Sequence, residues 1–420
     1  MKAATRAFLR ACWACATIVL ASCSSASQAV PSAVAPVGSG VANEMPLGRM
    51  SIWSVIESPN VPGDYGIYDN VLYSVNGDSP TDVWAVGNDC CYSHGSQEYT
   101  HSLIEHWNGS VWSIVPFPKD EPADSSLRAV AAISSNDAWA VGNAPYPNNQ
   151  AVIEHWNGKK WSVVSSPYVY NNAELLSIVA LSRNNVWAAG EGNYAALLEH
   201  WNGKVWSFVP GVTYGGLTIL NSIAATGPKD IMAVGEFFPS TNLISFFAEH
   251  WNGSKWTNAT PFSSFFQSDF ASVTAVSANN YWTVGWEEPN QTNQVPQTLA
   301  EHWNGSKFTL VPTPNKDPKS GYLLYNVLAG VVAQSSSDVW SVGTWTYYPG
   351  SGTSRSLFER WNGKAWRVEP GPPSLESSNN NTFNQLFGIA KLGSGGLWAV
   401  GNQAVPSYGD ETLTVSATHN

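Results

Sequence analysis

The chain is poor in charge and poor in sulfur for its length. Only 12% of its 420 residues are charged, and 20 basic residues stand against 31 acidic ones. That balance argues against a nucleic-acid partner, which needs clustered Lys and Arg to release counterions, and against adsorption to anionic lipid by charge. Five cysteines, at positions 12, 15, 23, 90 and 91, are too few for a disulfide-built fold. No Ser-His-Asp order, phosphate loop or calcium loop is present at useful specificity, so no catalytic residue, cofactor or metal ligand is nominated. A helical apolar period is missing after residue 50 as well.

What is there begins with a leader. Lys2, Arg6 and Arg10 make a basic start, and the apolar stretch from Ala11 to Leu20 is about half a membrane-spanning helix, as in a signal peptide. Leu20-Ala21-Ser22-Cys23 resembles the bacterial lipobox, which implies cleavage before Cys23 and lipidation of its thiol. Two or three acyl chains would hold the protein to the extracytoplasmic face of the cell membrane. Loss of the leader removes three basic residues and takes the formal net charge from −11 to −14. Residues 24–50 are rich in Ser, Ala, Val, Pro and Gly, the composition of a flexible tether. The expected organisation is a signal peptide over 1–22, a lipidated cysteine and linker over 23–50, and one domain over 51–420.

Two interleaved motifs fill that domain. Asp/Asn-x-Trp-x-Val-Gly runs from Asp82 to Gly87, Asp137 to Gly142, Asn185 to Gly190, Asp230 to Gly235, Asn280 to Gly285 and Asp338 to Gly343, with a looser copy from Gly396 to Gly401. Glu-His-Trp-Asn-Gly begins at Glu105, Glu154, Glu199, Glu249 and Glu301, and recurs from Glu359 with Arg360 in the histidine's place. Each period contains four short runs rich in β-branched and aromatic residues, bounded by turn formers. We name them strands A to D. The Asn-Gly between C and D predicts a two-residue hairpin with positive φ at both central residues, which would set Trp112 opposite Glu105.

Four strands per period without a helix is the pattern of a propeller blade; a solenoid could carry the same repeat. The seventh period ends after its C strand, while the domain opens with Ser51-Ile-Trp-Ser-Val-Ile-Glu-Ser-Pro59, a D pattern with no C before it. That orphan strand predicts a seven-bladed, all-β propeller closed by its N-terminal strand. The repeats resemble bacterial proteins of the kelch and galactose-oxidase-like propeller class. The double glycine of kelch repeats and the boxes of sialidases are absent, so no oxidase or glycosidase activity is carried over.

The histidines at 106, 155, 200, 250 and 302 occupy one equivalent position in five periods, so they cannot converge on one substrate. The Asp or Asn that opens strand B should accept a hydrogen bond from each and pin the A-to-B turn. Eighteen of the 21 tryptophans fall at repeat positions on B, C and D and are read as wedges between blades. The B-to-C and D-to-A loops emerge at the opposite face, vary in length, and carry the ligand-binding candidates Tyr92, Tyr146, Tyr168, Tyr170, Tyr194, Trp286, Trp345, Tyr347 and Tyr348. Trp286 and Trp345 stand out because they lie outside the repeat positions, although each could also continue its B strand. Cys90-Cys91 admits a vicinal disulfide, two thiols or a metal site. The expected function is a membrane-anchored, monomeric binding or scaffold propeller that holds a carbohydrate or protein partner on its loop face. A propeller-type extracellular glycosidase, lyase or oxidase is the alternative.

Overall fold

A computed structural model describes residues 52–63, 68–94, 97–145, 149–167, 172–240, 243–261, 267–289, 295–316, 323–348, 354–375, 383–393, 396–405 and 409–418. Among them every regular element is a β-strand, 28 in all. Repeat 1 runs through Tyr68–Ser79, Asp82–His94, Gln97–Trp107 and Trp112–Ile114 as strands A to D; repeat 2 through Ser126–Ser134, Asp137–Ala144, Gln150–Trp156 and Trp161–Val163. Repeat 3 comprises Ala173–Ser182, Asn185–Gly192, Ala195–Trp201 and Trp206–Phe208, and repeat 4 Leu217–Gly227, Asp230–Ser240, Leu243–Trp251 and Trp256–Asn258. Repeat 5 comprises Gln267–Ser277, Asn280–Glu288, Gln297–Trp303 and Phe308–Leu310, and repeat 6 Leu323–Ser335, Asp338–Tyr348, Ser354–Trp361 and Trp366–Val368.

Repeats 2 to 6 are separate four-stranded antiparallel sheets with the strands in the order A-B-C-D. Repeat 7 supplies Phe383–Leu392, Gly396–Val405 and Gly409–Thr418, and the N-terminal strand Trp53–Ile56 pairs antiparallel with the last of these, Trp53 opposite Ala417 and Ile56 opposite Thr414. A short parallel bridge, Tyr68 to Gly409 and Asp69 to Asp410, joins repeats 7 and 1 into one eight-stranded sheet. Each A strand touches the A strand of the next repeat, and Phe383–Leu392 touches Tyr68–Ser79. Strand A is therefore innermost, and its small residues suit the crowding there.

The glycine that ends the B motif has a steric cause. Every A–B ladder slips register opposite it, as between Leu72 and Ser74 or Leu127 and Ala129, which is a β-bulge. The bulge draws the A-strand backbone against strand B. A Cβ on Gly142 would stand 2.0 Å from the Ser126 carbonyl oxygen, and one on Gly87 1.8 Å from that of Val71. Only glycine permits this approach.

The tryptophans fill the spaces between neighbouring sheets as expected. Trp84 of repeat 1 lies 4.9 Å from Trp156 and 5.1 Å from Trp161 of repeat 2, edge-on to the latter. The same three-ring contact recurs for Trp139 with Trp201 and Trp206, Trp187 with Trp251 and Trp256, and Trp282 with Trp361 and Trp366. Trp398 of repeat 7 meets Trp107 and Trp112 of repeat 1, and Trp53 meets Trp340 of repeat 6 at 5.7 Å. In repeat 4, where Met232 replaces the B tryptophan, the sulfur side chain packs in one cluster with Trp303 and Phe308.

The C-to-D hairpin differs from the expectation. Trp107 pairs with Trp112, not Glu105, across a four-residue connection, and only Gly109 takes a positive φ, of 93°. Asn108 achieves this by folding its side-chain oxygen over the turn, where it accepts the N–H groups of Ser110 at 3.0 Å and Val111 at 3.1 Å. The asparagine is needed as an acceptor, not for a left-handed backbone.

Candidate ligand-binding face

Strand B runs away from the A-to-B turn and strand C runs back toward it. The A-to-B and C-to-D turns thus share one face, and the B-to-C and D-to-A loops share the other. On the turn face, the polar residues of the repeat satisfy one another. Histidine Nε2 meets the residue that opens strand B at 2.5 Å for His106 and Asp82, 2.9 Å for His155 and Asp137, and 2.6 Å for His250 and Asp230. His200 with Asn185 and His302 with Asn280 are each at 2.8 Å. Burial lowers the pKa of these last two, where no carboxylate faces the ring. Repeat 6 keeps the contact with different chemistry, Arg360 Nε donating to Asp338 at 2.7 Å. The tryptophan after the histidine donates to a carbonyl in the same A-to-B turn, as Trp107 does to Pro80 and Trp156 to Ser135. Both C-strand side chains brace one turn, and the histidines are engaged in scaffolding.

The glutamate before each histidine does something the sequence reading did not consider. Glu105, Glu154, Glu199, Glu249 and Glu359 are completely buried and Glu301 nearly so. Burial pushes all six carboxyls up, Glu199 and Glu249 to about 7 and Glu301, with Glu287 adding to it, to about 8. For Glu199 and Glu249 the partner lies in the chain that leads from strand D to the next strand A. Glu249 accepts the Val212 N–H at 2.6 Å, close against Gly211, and Glu199 accepts the Ser166 hydroxyl at 2.7 Å. Repetition of this residue in every complete period was the available signal.

The loop face carries the nominated residues in unlike settings. Trp286 and Trp345 continue their B strands and are only 4% and 9% exposed. Trp286 thus offers almost no ring surface in this conformation. Trp345 is covered by two cations, with Arg355 Cζ 5.4 Å and Lys316 Nζ 5.9 Å from the ring centroid. Tyr194 is exposed, at 47%, in a turn where it and Asn193 both have positive φ. Tyr92, Tyr347 and Tyr348 lie on B strands, but their side chains are outside the described residues, as are Tyr146, Tyr168 and Tyr170 altogether. Cys90 is half-buried on strand B of repeat 1; the Cys91 side chain and Cys23 fall outside the described residues. Among the described residues no group of three His, Cys, Asp or Glu is placed to hold a metal ion.

One row of residues escaped the sequence reading because a bulge, not a motif, defines it. The A-strand residues that the A–B register skips at these slips are Tyr73, Arg128, Leu176, Asn221, Ala271, Ala329 and Phe387. Each is half-buried on the innermost strand, and each follows a fully buried Leu or Phe. Three of them contact one another across repeats 7, 1 and 2. Tyr73 and Phe387 rings are 5.8 Å apart, Arg128 lies 4.6 Å over the Tyr73 ring, and its Nε donates to Glu174 at 3.1 Å. Farther round, Asn221 donates to Asp269 at 2.9 Å, whose carboxyl burial pushes up to about 7. The repeat varies here, in the half of strand A nearer the loop face, while its neighbours stay constant.

No family model and no curated protein matches the chain. Solved structures do. YCF48 bound to a D1 peptide aligns with a TM-score of 0.55 and 11% identity, over 88% of this chain and 96% of that one. A protein of unknown function from Dyadobacter fermentans DSM 18053 aligns at 0.45 and 10%, over 88% of this chain and 100% of that one. The six-bladed, fucose-recognising Aleuria aurantia lectin aligns at 0.42 and 13%, over 66% and 89%. At such identities the likeness is one of fold: the chain is an all-β protein of repeated four-stranded antiparallel sheets, of the β-propeller kind.

Proposed function

We propose that the chain is a seven-bladed propeller, closed by its N-terminal strand, that acts as a non-catalytic binding protein and holds a protein or glycan partner on its loop face. The observation that carries the reading is the asymmetry within each repeat. Polar side chains on the turn face are matched to one another in repeats 1 to 6, whereas the bulge row and the loops differ from repeat to repeat. In a repeat protein the varied positions on a constant frame are where a specific partner is met. Pairing of Trp53–Ile56 with the last strand, and the stacking of Trp53 on Trp340 and Trp398 on Trp112, support closure into seven blades. YCF48, whose fold this chain shares, is described with a bound peptide, so peptide binding is within the reach of such folds. The lipobox-like sequence at Cys23 places the protein, on this reading, at the extracytoplasmic face of the membrane.

The test has two arms. In the host, Cys23→Ser should lose acyl label and leave the membrane fraction; an unchanged label would remove the anchor from the proposal. On peptide and glycan arrays, the leaderless chain should bind a defined set of features. Combined Tyr73→Ala, Asn221→Ala and Phe387→Ala should weaken that binding by tenfold or more, about 1.4 kcal/mol, at a temperature where circular dichroism shows the variant folded. Binding that survives this change and disappears on altering turn-face residues would refute the assignment of faces.

A further inference from the structure

Between strands B and C of repeat 6 and the chain that leads into repeat 7, the loop face holds a cavity of about 120 Å³ lined by Lys316, Trp345, Arg355, Ser356, Phe358 and Leu375. Two features make it unusual in an acidic protein. Two cations converge on one indole, from different segments of chain, Lys316 from the approach to strand A and Arg355 from strand C. None of the described residues that line it is a carboxylate. Like charges so placed repel each other, and no described residue of the cavity wall neutralises them. The Arg355 Nε atom is, moreover, buried without a hydrogen-bond partner. A buried guanidinium N–H in that state is an open valence for an acceptor.

The frame around the cavity is built. The Asn326 side-chain oxygen accepts the Lys316 N–H at 3.0 Å, which fixes the segment that carries the lysine. Asn384 accepts both the Ser356 N–H and its hydroxyl at 2.7 Å, which fixes strand C one residue after Arg355. Trp345, Phe358 and Leu375 supply apolar walls and offer no acceptor for a second polar group. The volume corresponds to about four water molecules at roughly 30 Å³ each, enough for a carboxylate on one or two methylenes.

Resting on the binding reading above, we propose that this cavity takes a single carboxylate on a short apolar stem, the side chain of a glutamate or aspartate in a peptide partner. The planar guanidinium of Arg355 would hold the carboxylate by its N–H edge, Lys316 would add charge, and the stem would lie along Trp345 and Phe358. A sugar ring suits the walls less well, since its hydroxyls would be left without partners.

Titration of the chain with N-acetyl-glutamate amide, followed by calorimetry or ligand-observed magnetic resonance, tests this directly. The expected result is saturable binding, weakened by salt, with N-acetyl-glutamine amide at least tenfold weaker. Arg355→Gln should lower the affinity tenfold or more and Lys316→Gln about threefold. If Arg355→Gln does not fold, the comparison of the two probes on the unaltered chain and the Lys316→Gln variant still decides. Equal affinity for the glutamate and glutamine probes, or tighter binding of inorganic phosphate or glucuronate, would overturn the proposal. Array binding that persists while the glutamate probe fails would discard the cavity and leave the loop-face reading intact; loss of array binding with the probe retained would do the reverse.

Discussion

The two faces of the molecule are made from the same strands and use their residues in opposite ways. On the turn face one arrangement is repeated: a histidine or arginine on the residue that opens strand B, a tryptophan on the turn carbonyl, an asparagine folded over its own hairpin. On the loop-face half of the sheets the repeats diverge. Arg128 pairs with Glu174, Asn221 with Asp269, and Arg355 with an indole. Repetition therefore marks what the fold requires of every sheet, and exceptions to the repetition mark where this protein is individual.

The largest test of that comparison removes the piece that makes repeat 7 like the others. Deleting residues 52–58 would take away a strand's pairing, the Trp53 contacts with Trp340 and Phe358, and the Thr414 hydrogen bond to Ile56. Loss of a buried tryptophan alone costs about 3–5 kcal/mol, and the deletion also exposes a strand edge. Calorimetry should show a fall in melting temperature far greater than for deletion of 24–50. Equal transitions for the two truncations would contradict closure by the N-terminal strand.

A second test concerns the buried glutamates, which belong to the repeated frame although they are acids. Their folded pKa lies above the ordinary value of 4.5, at about 7 for Glu199 and Glu249. Below about pH 4.5 both folded and unfolded chains keep the proton, and the contribution to stability is whole. As pH rises toward 7 the unfolded chain releases protons that the folded chain retains, so stability falls. At about 1.4 kcal/mol per pKa unit, the Glu199 shift corresponds to roughly 3 kcal/mol. Unfolding by urea at pH 5, 6.5 and 8 should show decreasing stability. Glu199→Gln should flatten that slope, and an unchanged slope would mean that the carboxyl finds partners which hold it ionised.

The architecture was legible because it is periodic. Motif spacing located the strands, and the missing D strand after Thr412–Val415 matched the spare one at Trp53, a pairing the structure contains. The His–Asp contact was legible too, since the residue opening B and the end of C must meet at one turn. What stayed hidden depends on register. The Asn-Gly hairpin was read as two residues because the Asn108 side chain's role as acceptor leaves no trace in the motif. The bulge row was hidden because Tyr73, Arg128 and Asn221 share no chemistry, only a slip in the ladder. Trp286 and Trp345 were singled out for lying outside the repeat, yet both stay within strand B and are buried. Burial at that height in the sheet depends on loops whose course a motif does not encode.

The smallest expected effect sharpens the comparison most, because it asks whether the turn-face contact is interchangeable between repeats. In repeat 6 the partner of Asp338 is Arg360, whose guanidinium also lies 5.1 Å from the Trp340 ring; in repeat 2 His155 stands at the same place, 4.2 Å from Trp139. Both side chains thus do two things, donating to an acid and covering an indole. Arg360→Ala should cost about 1 kcal/mol, the range for a hydrogen bond between charged groups that are partly exposed, and lower the melting temperature by only a few degrees. Asp338→Ala should cost about as much, and the double variant little more than either, since each single change already breaks the contact. Arg360→His should recover most of the loss, because imidazole Nε2 reaches the same acceptor in the other repeats. If histidine proves no better than alanine there, the contact is particular to repeat 6, and the turn face is less uniform than its repeated sequence implies.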